Sequence, residues 1–281
     1  MGVRMIVDSS ADMTPAVGKA CTVVPLTLRF GDTEYIDGVT IDHRSFYEKL
    51  AECDTLPTTS QASPDAFAQV FREVADAGEE AVVLTLSSKL SGTYQSACIA
   101  AMDFPGIIHV VDSLNVSIGT GILAHMAVSL VQEGKDGKTI ADILTQQREK
   151  VCLLAMLDTL EYLKKGGRIS KTVAFAGELL SIKPVIAIQD GGIAMLGKAR
   201  GSRQANNLLV KEIEKAGGVD FAQPILLGYT GLSDALLEKY MDDSTALWQE
   251  LGRKPDTTPI GSIIGTHAGP GAVAAAFFRK G

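Results

Sequence analysis

Val3-Arg4-Met5-Ile6-Val7-Asp8, running straight into Ser9-Ser10, decides the fold. An apolar run of this length that stops at Asp and Ser reads as a buried strand whose carboxyl end opens into a polar turn. The same construction returns at Ala81–Leu86, which ends in Ser87-Ser88, and at Ile107–Asp112, which ends in Asp112-Ser113. Helix-like patterns follow such runs, so the first half reads as α/β with a mainly parallel sheet. In an open parallel sheet ligands gather beyond the carboxyl ends of the strands, so these hydroxyl-rich exits are candidates to line one crevice; helix capping by Asp and Ser is the competing reading.

The second half has another texture. Lys183–Gln189, Asp190-Gly191-Gly192 and Ile193–Leu196 read as a hairpin, because Asp-Gly supplies the positive φ angles of a tight turn. Pro224–Tyr229 and Ile260–Gly265 read as further strands, with a helix over Ser233–Leu251, and a second α/β domain with a mixed or antiparallel sheet is expected. The spacing places the boundary near residues 150–155, giving domains 1–152 and 153–281. No fixed-period repeat or low-complexity linker separates them, which predicts a firm interface.

The 281 residues are 46% hydrophobic and 21% charged, enough for a large core, and the net charge of −7 argues against broad nucleic-acid binding. Cys21, Cys53, Cys98 and Cys152 are far apart and form no CxxC pair, so neither a zinc ribbon nor a disulfide scaffold is indicated and a cytoplasmic setting is expected. Met5-Ile6-Val7, between Arg4 and Asp8, is too short for the apolar region of a secretory signal. Ile6 stands where a myristoylation signal needs Ser or Thr. Thr257–Phe278 carries no formal charge, but Pro259, Pro270, its glycines and His267 argue against a membrane span.

Three segments carry candidate chemistry. In Thr58-Thr59-Ser60-Gln61-Ala62-Ser63-Pro64-Asp65, Ser63 is the expected N-cap and Pro64 the first helical residue. That frees Thr59 and Ser60 to face a cavity, a solvated loop being the alternative. Ser87–Ala97 places Ser91, Gly92 and Thr93 between a strand and a helix, where backbone N–H groups and hydroxyls can hold a small anion. Gly265–Ala272 sets Thr266 and His267 among small residues that permit close approach, with a helix expected to start near Pro270 or Gly271. His43, His109 and His125 lack such surroundings, and the four histidines have no metal-ligand spacing. Gly-x-Ser-x-Gly, Walker A and Gly-x-Gly-x-x-Gly fingerprints are absent. Asp158-Thr159-Leu160-Glu161 has the form of a capping box, ending at Lys164, Lys165 and Gly166. From Lys164 to Arg203 eight basic residues, Lys171 among them, face two acids, Glu178 and Asp190, a local reversal of sign suited to a phosphate or an acidic partner, or simply a solvated face.

Taken together, Ile6–Asp12, Thr59-Ser60-Gln61, Ser87–Ser96, Asp158–Ser170 and Ile263–Gly271 resemble, in order and over nearly the whole chain, the DegV family, whose best understood members are the fatty-acid-binding subunits of bacterial fatty acid kinase. The resemblance implies two α/β domains with a long-chain fatty acid in a tunnel between them. It places carboxylate contacts on Thr59 and Ser91 with help near Gly92, and the family's histidine on His267. Ser60, Thr93 and Thr266 are flanking candidates, and Arg168 and Arg200 are candidates for contacting the partner or an acyl phosphate. A separate ATP-dependent kinase subunit is the implied partner, with no cofactor, no metal and no nucleic acid, and with room for peripheral membrane contact. Ala62 departs from a common proline and Ala268 from a common hydroxyl residue. Two alternatives stay open here: an autonomous acyl hydrolase using Ser91 and His267, and a carrier or sensor of another amphipathic acid.

Overall fold

The computed structural model describes residues 2–169 and 182–280. The first half comprises β1 (Val3–Asp8), α1 (Pro15–Lys19), β2 (Cys21–Val24), β3 (Thr27–Phe30), β4 (Thr33–Ile36), α2 (His43–Glu52), β5 (Thr58–Ser60), α3 (Pro64–Asp76), β6 (Glu80–Thr85), α4 (Thr93–Ala101), β7 (Ile108–Asp112), α5 (Ser117–Gln132) and α6 (Gly137–Gln147). The second comprises β8 (Val151–Met156), α7 (Glu161–Lys165), β9 (Ile182–Gln189), β10 (Gly192–Arg200), α8 (Gly201–Lys215), β11 (Leu226–Tyr229), α9 (Ala235–Asp243), α10 (Thr245–Trp248), β12 (Asp256–Pro259), α11 (Ser262–Ala268) and β13 (Val273–Phe278).

The three apolar runs with polar exits become β1, β6 and β7 of one parallel sheet, ordered β2-β1-β6-β7. A small antiparallel sheet, β4-β3-β5, carries Thr59 opposite Leu28. The second half builds a mixed sheet, ordered β10-β9-β8-β13-β11-β12, in which β11 and β12 run parallel and the other pairs antiparallel. Asp190 and Gly191 turn β9 into β10 with φ of 49° and 78°.

Strand alternation sorts the side chains into layers. Met5, Val7, Val82 and Leu84 of the first sheet, and Leu153, Ala155, Ile186 and Ile188 of the second, meet around the buried helix α5 in one continuous core. The opposite faces point outward: Ile6, Ala81 and Val83 toward α2 and α3, and Leu154, Met156, Val185 and Ala187 toward α8 and α9. Gly121 of α5 lies so close to the backbone of Asp12 that a Cβ there would collide with the Asp12 carbonyl oxygen.

Several local expectations are corrected. Ile260–Gly265 is not a strand: β12 stops at Pro259, and Ser262–Ala268 is the helix α11. A five- or six-residue apolar run has no period that separates a strand from a buried helix, and here a tertiary contact, the Asp12 carboxylate accepting the Gly261 N–H, sets its start. Val273–Phe278 is not a helix after Gly271 but strand β13, buried at every residue between β8 and β11. Alanine favours helices in isolation, yet a strand covered on both faces has room for little else, and packing overrides propensity. The capping box at Asp158–Glu161 does not form, because Asp158 pairs with Lys183 and Thr159 accepts the Glu161 N–H at 3.2 Å. The Ser233–Leu251 helix is divided at Ser244, whose hydroxyl donates to the Tyr240 carbonyl at 2.6 Å. Ser63 and Pro64 start α3 as expected, with the Ser63 hydroxyl accepting the Ala66 N–H at 3.1 Å. No helix among the described residues is long and apolar enough to cross a membrane.

Candidate ligand-binding site

Between the two sheets lies a slot with about 870 Å³ of space free of protein atoms, part of it open to solvent. Its long walls are aliphatic. Leu153 and Ala155 face it from one side of β8, with Leu157 just past the strand, and Ile186 and Ile188 face it from β9. Ile260, Ile263 and Ile264, at and beside α11, add another wall.

The polar groups collect at one end. Thr59 on β5 and His267 in the last turn of α11 are 208 residues apart in sequence, and their Oγ1 and Nε2 atoms lie 2.9 Å apart. The position of His267 is set at the other end of its helix. Asp12 accepts the Gly261 N–H at 2.7 Å and the Ser117 hydroxyl at 2.5 Å, Ser262 donates to Asp37, and the Tyr47 hydroxyl donates to the Ile260 carbonyl at 3.0 Å. Gly166, just past α7, leaves room for the imidazole, since a Cβ there would run into Nδ1 of His267.

Ser91 belongs to the turn between β6 and α4. Its N–H donates to the Ser87 carbonyl at 3.2 Å, and its hydroxyl is 3.0 Å from that of Thr93. Gln61 reaches over Gly92 and donates to the Ser96 hydroxyl at 2.9 Å, tying β5 to the start of α4. Arg168 also reaches the slot, donating to the carbonyls of Gly166 at 2.6 Å and Leu90 at 3.4 Å.

Burial, and secondarily the Arg168 charge, push the His267 pKa down to about 4, so the ring is neutral at physiological pH. Burial also lowers the pKa of Arg168, which stays charged at any ordinary pH. Nδ1 of His267 is buried with no hydrogen-bond partner among the described residues. Among the described residues no acid holds the imidazole, and its Nε2 is engaged by Thr59 rather than Ser91. Among the described residues no serine–histidine–acid relay is assembled.

The structure thus brings Thr59, Ser60, Ser91, Arg168 and His267 to one slot. It does not bring the rest. Gly92 and Thr93 lie behind Ser91 at the start of α4, and Thr266 donates to the Ser262 carbonyl at 2.8 Å inside its own helix. Arg200 is exposed at the end of β10, outside the slot lining. Ser170, Lys171 and Glu178 lie outside the described residues. Sequence reasoning missed Gln61 as a lining residue and the acids behind α11. Asp8 and Asp12 were visible in the polar exit of β1, but Asp8 holds the N–H groups of Ser10 and Leu86, at 2.9 and 2.7 Å, rather than capping a helix. Among the described residues no three His, Cys, Asp or Glu side chains gather as a metal-ligand set.

A family model described as an uncharacterised protein of the DegV family matches residues 2–280. A DegV domain-containing protein from Caldanaerobacter subterraneus is 33% identical over 283 residues, covering 99% of each chain. Among solved structures, one described as fatty acid binding of a DegV family protein from Thermus thermophilus superposes with a TM-score of 0.84 at 32% identity, over 99% of this chain and 100% of that one. The Streptococcus pneumoniae Fatty Acid Kinase (Fak) B3 protein, solved with linoleic acid, superposes with a TM-score of 0.87 over 100% of both chains; at 24% identity that likeness concerns the fold.

Proposed function

The chain belongs to the DegV family, and we propose that it holds one long-chain fatty acid in the slot and presents the carboxylate to a separate ATP-dependent kinase. The observation that carries this reading is an aliphatic slot whose polar groups, drawn from distant parts of the chain, collect at one end. The Thermus thermophilus relative, described as a fatty acid-binding protein, supports it.

Each buried methylene contributes about 0.8 kcal/mol, so a tail of about fourteen contributes up to roughly 11 kcal/mol before ordering costs. The head group then needs positioning more than affinity. An Nε2–H tautomer of neutral His267 donates to Thr59 and leaves the Thr59 O–H free to donate to a carboxylate; the other tautomer strands a buried N–H at Nδ1. Ser91 supplies a second hydroxyl at the same end. Neutral donors fix the carboxylate without greatly lowering its nucleophilicity. In the transfer, a carboxylate oxygen bonds to the γ-phosphorus of ATP as the bond to ADP breaks. Arg168, already spending N–H groups on two carbonyls, gains most from the more highly charged acyl phosphate. Arg200, exposed outside the slot, contributes at the kinase-facing surface. In this reading the chain has no catalysis of its own, needs no cofactor, and works in the cytoplasm with peripheral contact to the membrane that supplies its lipid. The boundary at 152/153 falls within β8, where the chain enters the second sheet.

Acyl-phosphate formation with a fatty acid kinase subunit, measured for Thr59→Ala, Ser91→Ala and His267→Ala, tests the assignment. Reduced transfer in each is expected; wild-type rates in all three remove these residues from the mechanism. Turnover of activated esters without kinase is the outcome that favours a hydrolase, and a retained sterol or sugar phosphate the one that favours a different carrier.

A further inference from the structure

The second sheet is split beside the slot. β13 pairs with β8 along all six residues from Val151 to Met156, whereas β8 pairs with β9 only at Leu154–Met156, ending at Leu154 opposite Ala187. β9 continues, but as the partner of β10 alone, to Gln189 opposite Gly192. Leu153 and Ile188, which would form the next rung, therefore stand at a fork between the strands. Behind the fork is a solvent-open recess edged by Arg148, Glu212, Lys215 and Arg279. Leu153 and Ile188 line both the recess and the slot, and both are buried.

The fork is set back along the strand from the His267 side of the slot, while the β9–β10 turn beyond Ile188 is tied to the Ser91 turn by the Ser87 hydroxyl, which donates to the Gly191 carbonyl at 2.7 Å. Leu157 leads into the segment whose Gly166 packs on His267, and Leu153 is two inward-facing positions back along β8, about 13 Å at 3.3 Å per residue. We infer that Leu153 and Ile188 are the plug that sets the upper limit of acyl length, by closing an apolar slot against a polar recess. This rests on the fatty-acid reading. Up to the plug, each added methylene tightens binding about fourfold. Beyond it the added carbon meets charged groups and water, and the gain stops.

The test is native mass spectrometry of the protein after incubation with an equimolar series of saturated fatty acids of increasing length. Wild type is expected to retain acids up to a sharp upper edge. Leu153→Ala and Ile188→Ala, which vacate about three carbon positions each, are expected to move that edge up by about two carbons, and Leu153→Phe to move it down. Ile188→Val removes a single methyl, preserves the fold, and is expected to shift the profile in the same direction as Ile188→Ala. An unchanged upper edge in the folded variants, with fatty acid still retained by all, overturns the plug. Absence of any retained fatty acid in wild type overturns instead the reading beneath it.

Discussion

Asp12→Asn isolates the group that anchors the helix bearing His267. Asp12 is only 8% exposed, and burial raises its pKa from 3.8 to about 7 against the opposing hydrogen bonds from Ser117 and Gly261; nearby Asp37 and Asp8 push the same way. An unfolded chain releases this proton near pH 3.9. Between about pH 4 and 7 the native state holds a proton that the unfolded state has lost, so native stability falls as pH rises through that window, by up to about 1.4 kcal/mol per pH unit. Above pH 7 both states are ionised and the full burden remains, on the order of 4 kcal/mol from the difference between 3.8 and about 7. Asparagine keeps the geometry: its carbonyl accepts the Gly261 N–H, and its amide donates to the Ser117 oxygen. The variant should therefore gain stability over wild type at pH 8 and much less at pH 5. Urea unfolding midpoints at the two pH values, with equal m-values, measure this difference directly. Equal destabilisation of Asp12→Asn at both would refute the reasoning, because it would mean that the ionised carboxylate is better satisfied by its two donors than by its proton.

Two further outcomes follow from the site. Gly166→Ala places a methyl against Nδ1 of His267, so the variant should show wild-type circular dichroism but a weaker hold on fatty acid in a competition assay; undiminished binding would show that the imbalance at His267 does not reach the head group. His267 has a folded pKa of about 4, below the 6.5 of a free histidine, so it contributes stability above pH 6.5 that is lost as pH falls toward 4. His267→Gln should flatten the acid limb of a melting-temperature profile over that interval, and an unchanged limb would assign the acid sensitivity elsewhere.

The two halves are joined by packing rather than by a linker. Side chains from both sheets meet on α5, and Asp12, from the first half, sets the start of α11 in the second. A ligand between the sheets thus touches one continuous core, and small displacements of α11 carry His267 with them. This makes the Asp12 prediction informative about binding as well as stability.

Local sequence determined much of the architecture. The runs ending at Asp8, Ser87 and Asp112 form a single parallel sheet because their apolar content and polar stops are local properties, and Asp190-Gly191 specifies a hairpin because only a few residues accept its backbone angles. Thr59, Ser91 and His267 were identifiable as candidates from small, polar surroundings and from the family resemblance. Tertiary structure decided what those cues left open. It made Ser262–Ala268 a helix and Val273–Phe278 a strand, where short apolar or alanine-rich segments are locally ambiguous. It also set which hydroxyl meets the imidazole, how far the His267 pKa falls, and which aliphatic side chains line the slot. Those are sums over contacts between segments distant in sequence, 208 residues apart for Thr59 and His267, and burial, which drives both the pKa shift and the slot, belongs to the packed chain as a whole rather than to any stretch of it.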